Sequence, residues 1–299
     1  MLHFDDSISL HSVRPKQNGT PRNSNAAKMS SLRRTDLLAL SHLRNDGRKP
    51  GEIRRMTCRI GPLTASGSAS GSALVQMGLT VALAIVRGPG ECQRRSDELP
   101  DRAVLNVTVS SAPFAPAGDR RPTNASTDRR LVEQSNLIKR AMEAAILLHL
   151  YPRSCISIDV VILADDGGRL CAGINAATLA LVDAAIPLRD MVCACSAGLA
   201  SGAGADGTDV ELVDLNGLEA RSFGGEAAVH LPCASMPQRG TVVLAQCESR
   251  TPLPTFERIL AAAMEGCTAV FEIMQASVRE RAAALLAARN GNAIIEVAS

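Results

Sequence analysis

The amino-acid sequence predicts an α/β chain in the broad sense (α+β), with mixed sheets covered by packed helices. Three observations carry this. Short β-branched and apolar runs separated by glycine fill residues 53–111. Two later stretches have helical length and an apolar stripe at helical spacing. From Cys155 onward strand and helix signals alternate, which places helices on sheets. At 299 residues and 46% apolar composition, the chain can bury a full core.

Taken in order, residues 1–44 are polar, basic and rich in Ser and Asn, with a short helical period only near Leu37–Leu43. They read as a disordered extension. A partner-binding or nuclear-targeting tail is the alternative, but Arg33-Arg34 is too short a pair to support targeting. The folded part is expected over 45–292, in a first part 45–187 and a second part 188–292, with 293–299 as a tail.

Leu74–Met77 and Leu79–Val86 read as hairpin arms around Gly78, and Ala103–Val109 alternates as a half-buried strand does. Residues 115–127 carry two prolines and form a loop. Thr127 or Asp128 caps a helix reaching about Leu150, with Leu131, Ser135, Ile138, Met142, Ala145 and Leu148 as its core stripe.

Cys155–Leu163 reads as a buried strand and Asp166-Gly167-Gly168 as a turn. Leu170–Ala185 is then a helix buried on most sides and ended by Pro187. A strand, a glycine turn and a helix N-terminus together favour an anion, because the first N–H groups lack intrahelical acceptors. Next come a buried strand at Met191–Ser196 and a Gly/Ala-rich insertion at 201–206. Strands at Val210–Leu215, Ala227–Leu231 and Thr241–Ala245 follow. From Pro254 a long amphipathic helix carries Phe256, Ile259, Met264, Val270, Ile273 and Met274 on or near its apolar face.

Thirty-two Lys plus Arg stand against thirty Asp plus Glu, a formal charge of +2, so any nucleic-acid contact has to come from local arginine clusters. One Tyr, five Phe and no Trp argue against base-stacking platforms. Cys193 and Cys195 are too close for a CxxC site, and their one-residue gap reads as opposite faces of a strand. The nine cysteines read as reduced core residues of a cytosolic or nuclear protein, since no stretch resembles a signal peptide or membrane span. No histidine-based metal cluster is visible, three of the five histidines lying in the first 44 residues.

A series of short motifs in fixed order adds a resemblance. Asp46-Gly47-Arg48-Lys49-Pro50 with Glu52 and Arg54, Gly71-Ser72-Ala73, Gly88-Pro89, Pro100-Asp101-Arg102-Ala103, Ala112-Pro113-Phe114 and Arg129-Arg130 come first. Pro152-Arg153, Asp166-Gly167-Gly168 and Ile186-Pro187 with Arg189-Asp190 complete the series. From about Asn45 to Asn290 the chain resembles the RNase PH family, in particular the RNA exosome subunit type that is catalytic in archaea. The resemblance implies the two-layer RNase PH fold, related to the second domain of ribosomal protein S5.

The resemblance also implies a site. Arg129 and Arg130 would hold phosphate or RNA, together with Gly167, Gly168 and Arg169 at the glycine turn. Phosphorolysis in this family needs an arginine after that turn and an aspartate after Gly-Glu-Ala. Here Leu170 takes the arginine's place with Arg169 one position early, and Ala228 of Gly225-Glu226-Ala227-Ala228 takes the aspartate's. Asp214 matches an earlier acidic position and would be vestigial. One residue at a helix start turns a side chain by about 100°, so Arg169 need not face the phosphate. Arg94 and Arg95 fall in a loop that lines the central pore in the family, where they would touch RNA backbone.

Arg48, Arg102 and Arg153 read rather as ion-pair partners of Asp46 or Asp101, and Asp165 and Asp166 as turn caps. The expectation is therefore a non-catalytic ring subunit without a cofactor, working in nucleus, nucleolus and cytoplasm. It would share a six-membered ring with other RNase PH-like subunits. S1/KH cap subunits and a hydrolytic exoribonuclease would join them in 3′-to-5′ RNA processing, rRNA maturation and mRNA turnover on single-stranded RNA. The alternative is an active phosphate-dependent exoribonuclease using inorganic phosphate and Mg. A free-standing, homo-oligomeric tRNA-trimming enzyme is the third.

Overall fold

A computed structural model describes residues 43–44, 46–63, 67, 69–92, 98–115, 128–200, 209–222 and 229–298, with residues 221–222 and 290–298 described by backbone alone. The expectations for residues 1–42, Arg94, Arg95, most of the 115–127 loop, the 201–206 insertion and Ala228 lie outside the described residues.

The first sheet has five strands: β1 (Met56–Ile60), β2 (Gly71–Met77), β3 (Thr80–Glu91), β4 (Val104–Ser111) and β5 (Ser154–Ala164). Their order is β1-β2-β3-β5-β4. β2 and β3 are the hairpin arms, with Met77 paired to Thr80 across a turn in which Gly78 takes φ 60. β4 runs parallel to β5. A parallel neighbour needs a crossover, and helix α1 (Arg129–Ala145), packed on β4, lies between them in the chain. Asp128 caps α1, its side chain accepting from the Arg130 N–H at 3.0 Å.

The helix expected to reach Leu150 ends five residues earlier. Ile146 is already extended, and only a single 3₁₀ turn at Leu148–Leu150 continues the pattern. β5 was expected to be buried throughout; instead Ile156, Ile158, Val160 and Ile162 face the core, while Ser157 and Asp159 on the other face are half-buried. Asp159 accepts from Arg87 and Thr108 there.

Helix α2 (Arg169–Asp183) is the centre of the molecule, with twelve of its fifteen residues buried. It packs on β2 and β3 of the first sheet and on β6 of the second. This dense small-residue helix lets the chain approach closely: a Cβ on Gly71 would lie 2.3 Å from the Ala184 nitrogen. The helix stops at Asp183 rather than at Pro187, because Ala185 turns to φ 55 and breaks the helical path first.

The second sheet holds β6 (Cys193–Ala200), β7 (Val210–Val213), β8 (Val229–Met236) and β9 (Thr241–Ala245), in the order β7-β6-β8-β9. A short helix α3 (Gly217–Ser222) follows β7, and the long helix α4 (Leu253–Ala298) packs on β6, β8 and β1. β6 is buried along its whole length. Cys193 and Cys195 both meet α4, Cys193 through the Met274 sulfur at 3.7 Å and Cys195 where Gly266 passes it. They share one face, since residues two apart on a strand point the same way, which corrects the opposite-face expectation.

Residues Leu253–Arg289 of α4 are long and apolar enough to cross a membrane by length and composition, contrary to the expectation that no stretch is. Ile259, Ala263, Cys267, Val270 and Met274 nevertheless form a single buried stripe, as in a core helix.

Candidate functional site

β5 delivers the chain to Asp165, and the next three residues turn it into α2. Gly167 and Gly168 adopt φ 86 and φ 68, where a side chain is strained. Asp165 caps its own turn by accepting from the Gly167 N–H at 3.2 Å, so the turn-capping expectation holds for Asp165. Among the described residues no side chain caps α2. Its first N–H groups and dipole are therefore available to an anion.

This turn forms one wall of a cavity of about 730 Å³. Gly167, Gly168, Arg169, Leu170 and Cys171 line that wall, Arg130 and Glu133 of α1 line a second, and His230, Gln246, Glu248 and Ser249 belong to a third. Arg130 and Arg169, far apart in sequence, thus share one cavity with a helix N-terminus. Arg129 does not line it; its side chain is 92% exposed and pairs with Glu133 at 3.0 Å. Arg169 pairs with Asp165 at 3.5 Å, and both Arg169 and Leu170 line the cavity. Arg169 and the apolar side chain of Leu170 thus stand side by side at the cavity.

Asp214 lies beneath the turn and outside the cavity wall, 1% exposed and at φ 54. Its two oxygens accept from Arg54 Nη2 at 2.8 Å and Nε at 2.9 Å. Burial works against the Arg54 charge, but the hydrogen bonds and charge of Asp214 outweigh it and hold its pKa above the ordinary value. A second buried pair lies alongside: Arg44 Nε donates to Glu219 at 2.8 Å, and Arg44 Nη2 to the Asp214 carbonyl at 3.0 Å. Arg48 pairs with Asp46 at 3.1 Å, as expected of it. No ion pair of Arg102 or Arg153 occurs among the described residues.

His230 stands by Glu248 in the third wall. His230 is exposed, yet partial desolvation of its ring lowers the pKa from the ordinary value, and the Glu248 charge offsets part of that. Among the described residues no group of three or more His, Cys, Asp or Glu is placed to hold a metal.

Sequence reasoning missed the third wall, where His230, Gln246, Glu248 and Ser249 are scattered polar residues without motif spacing. Arg54 stands in the motif series with no role implied for it. The signal for Arg54 is its position in a basic segment followed by a strand, but only the fold shows that its carboxylate partner lies 160 residues away.

Comparison with known proteins gives the family and the fold. The 3′ exoribonuclease family, domain 1 (RNase PH), matches residues 52–187. Exosome complex component RRP41 of Mus musculus is 40% identical over 246 residues, covering 82% of this chain and 94% of that protein. The RRP41 homolog of Arabidopsis thaliana is 39% identical, covering 80% and 92%. Rrp41 of Methanopyrus kandleri is 37% identical, covering 82% and 95%. In fold, the chain is similar to rice Rrp46, with TM-score 0.64, 23% identity and coverage of 79% and 100%. It is also similar to a chain of the Archaeoglobus fulgidus exosome solved with RNA bound to the active site, with TM-score 0.65, 22% identity and coverage of 83% and 98%. The chain belongs to the RNase PH family, on the branch of the exosome components Rrp41.

Proposed function

We propose that this chain is a ring subunit of the RNA exosome that scaffolds the particle and holds RNA, without phosphorolytic chemistry of its own. One observation carries the non-catalytic part. Leu170 occupies the first turn of α2 inside the cavity, and every described carboxylate in the cavity wall is engaged. Glu133 is taken by Arg129, Asp165 by Arg169, and Glu248 accepts from Gln246 at 3.0 Å. Asp214 is neutralised by Arg54 below the turn. Proton transfer by a carboxylate needs a free one at the reacting oxygen, and Ala228 in the Gly-Glu-Ala segment supplies none.

The remaining parts fit holding RNA rather than cutting it. Arg130, Arg169, Gly167, Gly168 and the α2 N-terminus suit backbone phosphates, which bind without regard to sequence. Arg94, Arg95 and Arg129 are proposed as further backbone contacts along the RNA path. The partners would be other RNase PH-like subunits in a six-membered ring, S1/KH cap subunits and a hydrolytic exoribonuclease, acting in nucleus, nucleolus and cytoplasm.

The test is phosphate-dependent release of nucleoside diphosphates from oligoadenylate, using the particle purified through this subunit. Hydrolytic monophosphate products alone are expected. A second reading, active phosphorolysis, is favoured by Arg169 sharing the cavity with Arg130. Diphosphate release abolished by Arg169→Ala would establish that reading and refute ours. Release indifferent to Arg169→Ala would place the activity in another subunit.

A further inference from the structure

We infer that Arg54, Thr80 and Asp214 are positioning residues that set the conformation of the Gly167-Gly168 turn, and through it the grip of the cavity on an RNA phosphate. This rests on the reading of the cavity as an RNA-phosphate site. None of the three lines the cavity, so none is a contact residue.

The geometry is that of a clamp. Arg54 Nη1 donates to the Asp166 carbonyl at 3.0 Å and Nη2 to the Gly167 carbonyl at 3.2 Å. Thr80 Oγ1 donates to the same Gly167 carbonyl at 2.8 Å and accepts from the Asp166 N–H at 3.0 Å. Gly217 N–H donates to the Asp166 carbonyl at 2.7 Å. The Gly167 carbonyl is thus turned toward Arg54 and Thr80, which lie outside the cavity lining, while the Asp166 carbonyl is tied down between Arg54 and Gly217. That leaves the uncapped N–H groups of the α2 start to face the cavity, and a carbonyl turned outward would repel an anion.

Arg54 is itself oriented by the two-oxygen contact with Asp214, whose second attachment is the Arg54 backbone N–H at 2.9 Å. A fork-shaped guanidinium can reach two carbonyls and a carboxylate at once, whereas an ammonium offers one point charge. Arg54→Lys therefore keeps the charge but cannot hold the turn. Thr80→Val removes the other clamp at nearly constant volume.

The experiment is binding of a fluorescein-labelled oligoadenylate to the full-length chain in its purified assembly, measured over a salt series. For single strands each phosphate contact contributes about 0.7 to the slope of log affinity against log salt. Arg169→Ala is expected to lower the slope by about 0.7. Arg54→Lys and Thr80→Val are expected to lower it too, although neither touches RNA. The double variant Arg54→Lys with Arg169→Ala should fall no further than Arg169→Ala alone.

Partial unfolding would reduce the bound fraction without altering the slope, so this readout separates positioning from stability. An unchanged slope in Arg54→Lys and Thr80→Val, with a reduced one in Arg169→Ala, would overturn the clamp and leave the phosphate site standing. An unchanged slope in Arg130→Ala and Arg169→Ala would overturn the phosphate site itself.

Discussion

Substituting alanine at Gly168 and at Gly47 separates backbone strain from contact with the buried guanidinium. Both glycines have similar positive angles, φ 68 and φ 77. A Cβ on Gly47 meets nothing among the described residues within 4 Å, so Gly47→Ala carries only the left-handed strain, about 1–2 kcal/mol. A Cβ on Gly168 would lie 2.8 Å from Arg54 Nη2. That nitrogen has little freedom to retreat, because it bonds Asp214 at 2.8 Å and the Gly167 carbonyl at 3.2 Å. Losing one charge-assisted bond costs about 1.5–3 kcal/mol. Gly168→Ala should therefore cost roughly 2.5–5 kcal/mol, well beyond the Gly47 variant. The assay is the shift in urea midpoint at unchanged slope, for both variants side by side. Equal costs at the two positions would refute the claim that Arg54 is held under the turn.

Three further outcomes follow from the site and the core. On the proposed reading of the site, Leu170→Arg combined with Ala228→Asp should produce phosphate-dependent diphosphate release above that of the unmodified particle, since it supplies the arginine and aspartate expected there; no gain in the diphosphate assay would count against these two positions as the cause. His230 has a pKa below the ordinary value of 6.5, so the unfolded chain takes up its proton first and stability declines as pH falls through that region. A bound polyanion favours the charged imidazole, so RNA affinity should rise as pH drops from about 7 to about 5.5. His230→Gln should flatten that rise; an equally steep profile in the variant would remove His230 from the cause.

Thiol labelling at neutral pH should modify exposed Cys247 quickly. Cys171, Cys193, Cys195, Cys233 and Cys267 should react only on unfolding, because they are buried, and burial raises the thiols of Cys171, Cys193 and Cys195. Burial also pushes the Cys58 thiol up to about 11. Rapid modification of more than the accessible cysteines would mean that the core opens readily.

What the sequence by itself determined is local and periodic. The hairpin around Gly78, the cap at Asp128, the glycine turn at Gly167-Gly168 and the strand at Thr241–Ala245 each depend on residues within one or two turns of each other. The proposal that Leu170 and Ala228 stand where an arginine and an aspartate are expected likewise rests on order along the chain. Helix ends were less legible, because an apolar residue such as Leu148 satisfies a helical stripe equally well from a separate 3₁₀ turn.

Only the tertiary structure decided how distant groups meet. Arg130 reaches the cavity while Arg129, its immediate neighbour, turns outward, a difference set by how α1 packs on β4. Asp214 reads from sequence as a vestigial acid, yet it is the buried partner of Arg54. Burial makes an unpaired carboxylate costly, and pairing across 160 residues leaves no periodic trace in the chain. The polar wall of His230, Gln246, Glu248 and Ser249 exists because β8, β9 and the residues after β9 close over the α2 N-terminus, a proximity that no local spacing encodes.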